Sequence, residues 1–324
     1  MAGAVPVLSR LLPLALLGAL PIGCVQVDLP RATPDAGPDA PPAPEPSDPF
    51  AHDPNPIQLP LAVDPSRHLC DGRDGLQVAA VNWVGGFRPA SGSILYAQHG
   101  HGYFLLDGHC NYWVTGPGGN AHSGRNGTIG PELRDRMERD LHYQSWPALA
   151  GAHCRAVADG GVTTVSDVSA TLSCSGGPYA DVPSEFLEAF QLLGAFGDDL
   201  RATGAEETGP LRMYVVRIDP ITRPPDDDLI NPPVPWPLAS DPASLALDQA
   251  AVEQGEPPPS LLVDVPADIA ALRSLDASYH AEHRDARDQI PVRGPDGVLY
   301  DVFIRDVLPF DDADGHLVIP WRPR

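Results

Sequence analysis

Two runs of proline set the limits on what this chain can fold into. Residues 30–60 hold 11 prolines among 31 positions, and residues 220–237 hold 7 among 18. Proline fixes φ and donates no backbone hydrogen bond, so neither run can enter a helix interior or a central strand. The first run is interleaved with Asp, Ala and Gly and cannot bury enough apolar surface to offset the entropy of ordering it. An extended, partly polyproline II tether is expected there, with a reach on the order of 100 Å at ~3.1 Å per residue. The second run also carries Asp226-Asp227-Asp228 and marks a boundary. Five segments follow: 1–23, a disordered Pro-rich tether at 24–60, an α+β domain at 61–219, a Pro-rich linker with a short helix at 220–260, and a C-terminal α+β segment at 261–324. The last ~65 residues are too few for a robust core of their own, so they are expected to pack on the first domain.

Between the proline runs the pattern alternates strand and helix signals. Residues 78–84 suit a strand, as do 94–98. Tyr103-Phe104-Leu105-Leu106 runs into Asp107-Gly108, a hairpin signal, and Cys110–Thr115 returns. These three segments, 94–98, 103–107 and 110–115, predict a β-meander, followed by a polar Gly-rich loop at 116–130. Gly130-Pro131-Glu132 opens a helix with apolar stripe Leu133, Met137, Leu141 and exposed pairs Glu132–Arg136 and Asp135–Arg139. Trp146 and Leu149 continue the packing. Residues 162–172 read as a strand or tight hairpin, and Pro183-Ser184-Glu185 starts a helix turning Phe186, Phe190, Leu193 and Phe196 to the core. Further elements are a strand at 213–218, helices at 240–253 and 266–283, and a strand at 298–304 after the turn Pro295-Asp296-Gly297. The expected class is α+β: an antiparallel sheet, built from the meander and further strands, packed on two or more amphipathic helices.

The first 23 residues carry one charge, Arg10, ahead of the apolar run Leu11–Ile22. A spanning helix needs roughly 20 apolar residues, and Pro13 and Pro21 interrupt this shorter one. The run ends in Gly23-Cys24 and resembles a bacterial lipobox, although Pro21 stands where that pattern has Leu. The resemblance implies cleavage before Cys24, lipid on its thiol, and a membrane partner through that lipid. The location implied is the bacterial envelope, with the outer membrane the expected site. A second resemblance covers about 92–200. Leu106-Asp107-Gly108 with Tyr112-Trp113-Val114, Gly127-Thr128-Ile129, and Leu141-His142-Tyr143 with Trp146 are similar to a type of predicted bacterial lipoprotein domain of unknown function. It implies a small α+β envelope module and no activity.

Removing Cys24 leaves Cys70, Cys110, Cys154 and Cys174. An even count in an exported chain suggests two disulfides with three pairings allowed. The sequential pairing, Cys70–Cys110 and Cys154–Cys174, closes short loops and is favoured; no C-x-x-C spacing supports a structural zinc site.

The chain has 21 Arg and no Lys. That excludes a P-loop, a Schiff-base enzyme and a protein kinase, each of which needs a lysine amine. A net charge of −22 argues against nucleic acid, whose phosphates require clustered basic groups. No cofactor is implied. His99, His101 and His109 sit at opposite ends of one expected strand, about 16 Å apart, and cannot share an ion. Gly116-x-Gly118-x-x-Ala121 lacks the helix start that a dinucleotide site needs. Asp312-Ala313-Asp314-Gly315 resembles a calcium loop, but Phe310 and Trp321 fall at its first and twelfth ligand positions, which excludes an EF-hand. Asn126-Gly127-Thr128 reads as a turn. Neither Gly-x-Ser-x-Gly nor His-Glu-x-x-His occurs.

One constellation remains. Asp276, His280 and His283, spaced by four and three on a helix, share one face and suit a divalent metal. Two functions follow as expectations. The first is a lipid-anchored envelope protein with a structural, binding or assembly role and an envelope protein partner. The alternative is an exported metal-dependent hydrolase using the His/Asp site on the 266–283 helix.

Overall fold

The computed structural model describes residues 60–83, 102–116, 121–150, 162–174, 182–219, 231–253, 259–283 and 289–321. Expectations for 1–59, the strand at 94–98, and residues His99, His101 and Cys154 lie outside them. Residues Phe50–Arg324 form one compact unit.

The described elements make two sheets with helices packed against them, an α+β fold. The first sheet has the order β6-β5-β1-β2-β3-β4-β7. Its strands are β1 (Leu76–Trp83), β2 (Gly102–Asp107), β3 (Asn111–Val114), β4 (Arg125–Thr128), β5 (Val162–Ser166), β6 (Thr171–Cys174) and β7 (Ala205–Glu206), and every pairing is antiparallel. β1, β2 and β3 form a meander, with β1 in the place expected for 94–98. The 162–172 segment is the β5–β6 hairpin.

β2 is buried along its whole length because both faces of this sheet are covered. Phe104 and Leu106 point to one core, Tyr103 and Leu105 to the other. Three helices cover the first face: α1 (Pro131–Asp140), α2 (Trp146–Leu149) and α3 (Ser184–Thr203). Met137, Leu141, Trp146, Phe186, Leu193 and Phe196 meet it there, as the helical spacing requires. Leu308, Phe310, Leu317, Ile319 and Trp321 from the end of the chain cover the second.

The second sheet has the order β10-β8-β13-β12-β9, with β11 also paired to β8. Its strands are β8 (Leu211–Arg217), β9 (Val234–Pro235), β10 (Leu247–Asp248), β11 (Leu261–Val263), β12 (Ile290–Arg293) and β13 (Leu299–Asp306). This sheet is mixed: β10 runs parallel to β8, and β12 parallel to β9. β8 pairs with β13 over seven residues, so the described residues on the two sides of the proline-rich 220–260 segment share one sheet. On β8 the odd positions Leu211, Met213 and Val215 face α5 (Pro266–Glu282), while Tyr214 and Val216 face away.

Three local expectations are corrected. The 116–130 stretch is not a plain loop: it contains a 3₁₀ turn at Ala121–Ser123 and strand β4. Pairing with β3 and β7 supplies hydrogen bonds that local sequence does not announce. The helix expected at 240–253 is confined to α4 (Gln249–Glu253). Asp241 caps a short 3₁₀ turn at Pro242–Ser244, and the chain then extends to pair with β8, so sheet pairing overrides helix propensity. On α1 the expected i,i+4 pairs give way to contacts between neighbours, Arg134 with Asp135 and Arg139 with Asp140, while Arg136 lies over the Phe196 ring.

Cys70 and Cys110 are joined by a disulfide. Cys174 is also disulfide-bonded. The first bridge ties the segment before β1 to the β2–β3 turn. There Asp107 Oδ1 accepts from the amides of His109 and Asn111 at 2.9 and 2.8 Å. Gly108 is required at that turn, because a Cβ there would lie 2.1 Å from the Arg73 carbonyl oxygen.

Candidate functional site

α5 begins at Pro266, whose missing amide costs nothing in a first helical turn. Its inward stripe is Leu272, Asp276 and Tyr279. A carboxylate on that stripe must find partners, since burying an unpaired charge is costly. Asp276 is 1% exposed and finds three. The backbone amide of His122 donates to Oδ2 at 2.6 Å, the His122 Nδ1 lies 3.1 Å from Oδ2, and the His280 Nδ1 lies 3.2 Å from Oδ1. Burial pushes the Asp276 carboxyl up, but the hydrogen bonds from His122 and His280 outweigh it and hold the group below the usual carboxylate range. The two imidazoles stack at 4.5 Å with 17° between their planes.

His122 belongs to the 3₁₀ turn between β3 and β4. Ala121, its neighbour, is buried in the core of the second sheet, so this turn crosses from one sheet to the other. Arg273 fastens it further. Its guanidinium donates to the Ala121 carbonyl at 3.5 Å, to the Gly209 carbonyl at 3.3 Å, and pairs with Asp306 Oδ1 at 2.5 Å. A Cβ at Gly124 would lie 2.0 Å from Asp306 Oδ2, so a larger residue there would displace that side chain.

His283 does not join the cluster expected for it. Its ring stacks on Tyr279 at 4.6 Å and its Nδ1 sits 3.1 Å from the Tyr279 carbonyl oxygen. The helix ends at Glu282, and His283 has left the helical path with φ −123° and ψ 68°. His122 takes its place, from 154 residues away in the chain. No local signal points to it. Arg273 lies three residues before Asp276 on the same face, so helical spacing is a signal that could have found it.

Asp306, the carboxyl paired with Arg273, is buried as well. Burial raises it to about 6, against the pull of Arg273, and its Oδ2 has no hydrogen-bond partner among the described residues. An unfolded Asp ionises near 3.9. Between those values the native state keeps a proton that the unfolded chain has lost, so this group's contribution falls as pH rises from about 4 to about 6, then levels. Asp306→Asn, which mimics the protonated form, should therefore be more stable than the parent by about 2 kcal/mol at pH 8 and similar to it at pH 4. Urea melts of both proteins at the two pH values give the difference directly. An equal gap at both would remove the raised carboxyl as its cause.

Other expected or alternative sites are filled by local contacts. His109 pairs with Asp74 at 3.0 Å on the surface. In the Asp312–His316 turn, Asp312 Oδ1 accepts from the amides of Asp314 and His316, so that carboxylate serves its own loop. An open cleft of about 210 Å³ lies between the first sheet and α3, walled by Phe104, Val114, Phe190 and Leu193, with Arg201 and Asp198 paired at its edge. None of His122, Asp276 and His280 lines it. Among the described residues the large exposed apolar side chains are Val63, Val168, Leu262 and Val265. No described helix is long and apolar enough to cross a membrane. Comparison with protein-family models, curated proteins and solved structures finds no match to this chain.

Proposed function

We propose that this chain is a lipid-anchored protein of the bacterial envelope, attached through Cys24, whose folded unit serves a binding or assembly role with an envelope protein partner. The observation that carries the reading is the Cys70–Cys110 disulfide, because structural disulfides persist in oxidising compartments outside the cytosol. The bonded state of Cys174 supports the same compartment. The lipobox-like Gly23-Cys24 and the Pro-rich run after it supply an anchor and a spacer, and the outer membrane is the location proposed. The −22 charge speaks against nucleic acid as the partner.

Cys24→Ala is expected to abolish incorporation of a labelled fatty acid and to move the protein from the membrane pellet to the soluble fraction. Undiminished labelling would sink the lipoprotein reading. Crosslinking in the native envelope, followed by capture of this chain, identifies the partner.

A second reading, an exported metal-dependent hydrolase, draws on one observation: a His-Asp-His cluster does form, with His122 replacing His283. The open cleft beside α3 is not lined by this cluster, and a substrate would need a cleft beside the reacting centre.

A further inference from the structure

We propose that His122, Asp276 and His280 form a binding site for a late first-row divalent cation, of which zinc(II) is the probe to use. This goes beyond the anchored-module reading and does not depend on it. One ligand-type atom from each of the three residues lies within 4.8 Å of the other two. The His122 Nδ1 stands 3.1 Å from Asp276 Oδ2, and the His280 Nδ1 stands 3.2 Å from Oδ1 and 2.9 Å from the Asp276 backbone carbonyl oxygen. Neighbouring ligands of a tetrahedral ion with bonds of about 2.0–2.1 Å are about 3.3 Å apart, close to the two nitrogen–carboxylate distances, and the ion would replace the proton that the His280 Nδ1 shares with that carbonyl.

The donor set points to the class of ion. Two imidazoles and one carboxylate suit zinc and its neighbours, whereas calcium and magnesium require oxygen-rich shells. The carboxylate is also held in position from behind. The His122 backbone amide donates to Oδ2 at 2.6 Å, the kind of outer contact that orients a metal ligand. Asp276 is buried, while the side chains of His122 and His280 are 29% and 13% exposed, which leaves a solvent side for the ion to enter.

The two rings stack at 4.5 Å with 17° between their planes, and a ring nitrogen must be free of its proton to ligate a metal. The ion would clip the β3–β4 turn more firmly to α5, two segments already joined by the hydrogen bond from the His122 amide to Asp276, by Arg273 and by apolar packing of Ala121.

Titration calorimetry of the full chain with Zn²⁺ tests this. One ion per chain is expected, with a dissociation constant of ~10 μM or tighter. His122→Ala and His280→Ala should each weaken binding by more than the ~10–100-fold that loss of an outer-shell partner costs. His283→Ala should leave it unchanged. Cobalt(II), read by absorption, should show the visible bands of a nitrogen and oxygen site without sulfur-to-cobalt charge transfer, which separates this cluster from any cysteine. Thermal unfolding of the metal-free variants controls for folding. If an alanine variant does not melt cooperatively, His122→Gln and His280→Gln replace it, and they should melt as the parent does yet bind no ion. The proposal is overturned by absence of stoichiometric binding, by binding that survives both histidine changes in folded protein, by a sulfur charge-transfer band, or by binding lost on Asp312→Ala instead.

Discussion

Replacing Cys70 and Cys110 together by alanine is expected to lower the free energy of unfolding by about 3–4 kcal/mol. The bridge spans a sequence separation of 40 and removes that loop's freedom from the unfolded chain. It acts where the backbone most needs holding. Cys70 and Cys110 both have positive φ, 59° and 67°, a region that L residues enter at a cost of roughly 1–2 kcal/mol. Local contacts share the work: the Cys70 amide donates to Gln77 Oε1 at 2.6 Å, and the Gly72 amide to the Gly108 carbonyl at 2.7 Å. Guanidinium unfolding of the double variant beside the parent measures the loss. Chemical reduction is a poorer test, because Cys174 is also bonded. A loss under about 1 kcal/mol would mean that those local contacts, not the bridge, hold the turn.

The second large effect is expected at Trp146, whose replacement by alanine should cost about 3–5 kcal/mol. The indole is 1% exposed in the core between the first sheet and its helices. It does two jobs. Its ring packs edge-on against Tyr143 at 5.0 Å, and its Nε1 donates to the Leu141 carbonyl at 2.8 Å. Leu141 follows the last residue of α1, where helix carbonyls lose their intrahelical partners. The chain then turns through His142 at φ 51°. The indole hydrogen bond thus closes the corner that brings α2 back onto the sheet. Trp146→Phe keeps most of the ring and drops the donor, so it should cost only about 1–2 kcal/mol. Urea melts of the two variants separate packing from hydrogen bonding. If both cost the same, the buried hydrogen bond rather than the filled volume carries the effect.

Much of the fold is legible in the amino-acid sequence. The stripe Met137, Leu141 and the face Phe186, Leu193, Phe196 follow from 3.6-residue spacing, and both are buried as that spacing demands. Asp107-Gly108 marks the β2–β3 hairpin. Those signals are local, carried by residues a few positions apart. The elements that sequence reasoning misses depend on distant pairing. Strand β4 has no pattern of its own, since Arg125–Thr128 is mostly polar and exists because β3 and β7 accept it. β10 and β9, two residues each, owe their extended form to parallel neighbours in the second sheet.

The candidate site divides the same way. Asp276 and His280 follow from i,i+4 spacing on one helix, a relation the chain states locally. His283 satisfies the same helical-face pattern on paper, but α5 stops one residue before it, and its ring turns to Tyr279. His122 could come only from tertiary structure, because it reaches Asp276 when the turn after β3 crosses to the other sheet. Composition and the order of apolar, proline and cysteine residues determined the class of fold and the chemistries a lysine-free, acidic chain cannot perform. The tertiary structure alone decided which buried charges meet. A carboxylate inside a protein is tolerated only where partners converge on it, and which partners converge is a property of packing between remote segments.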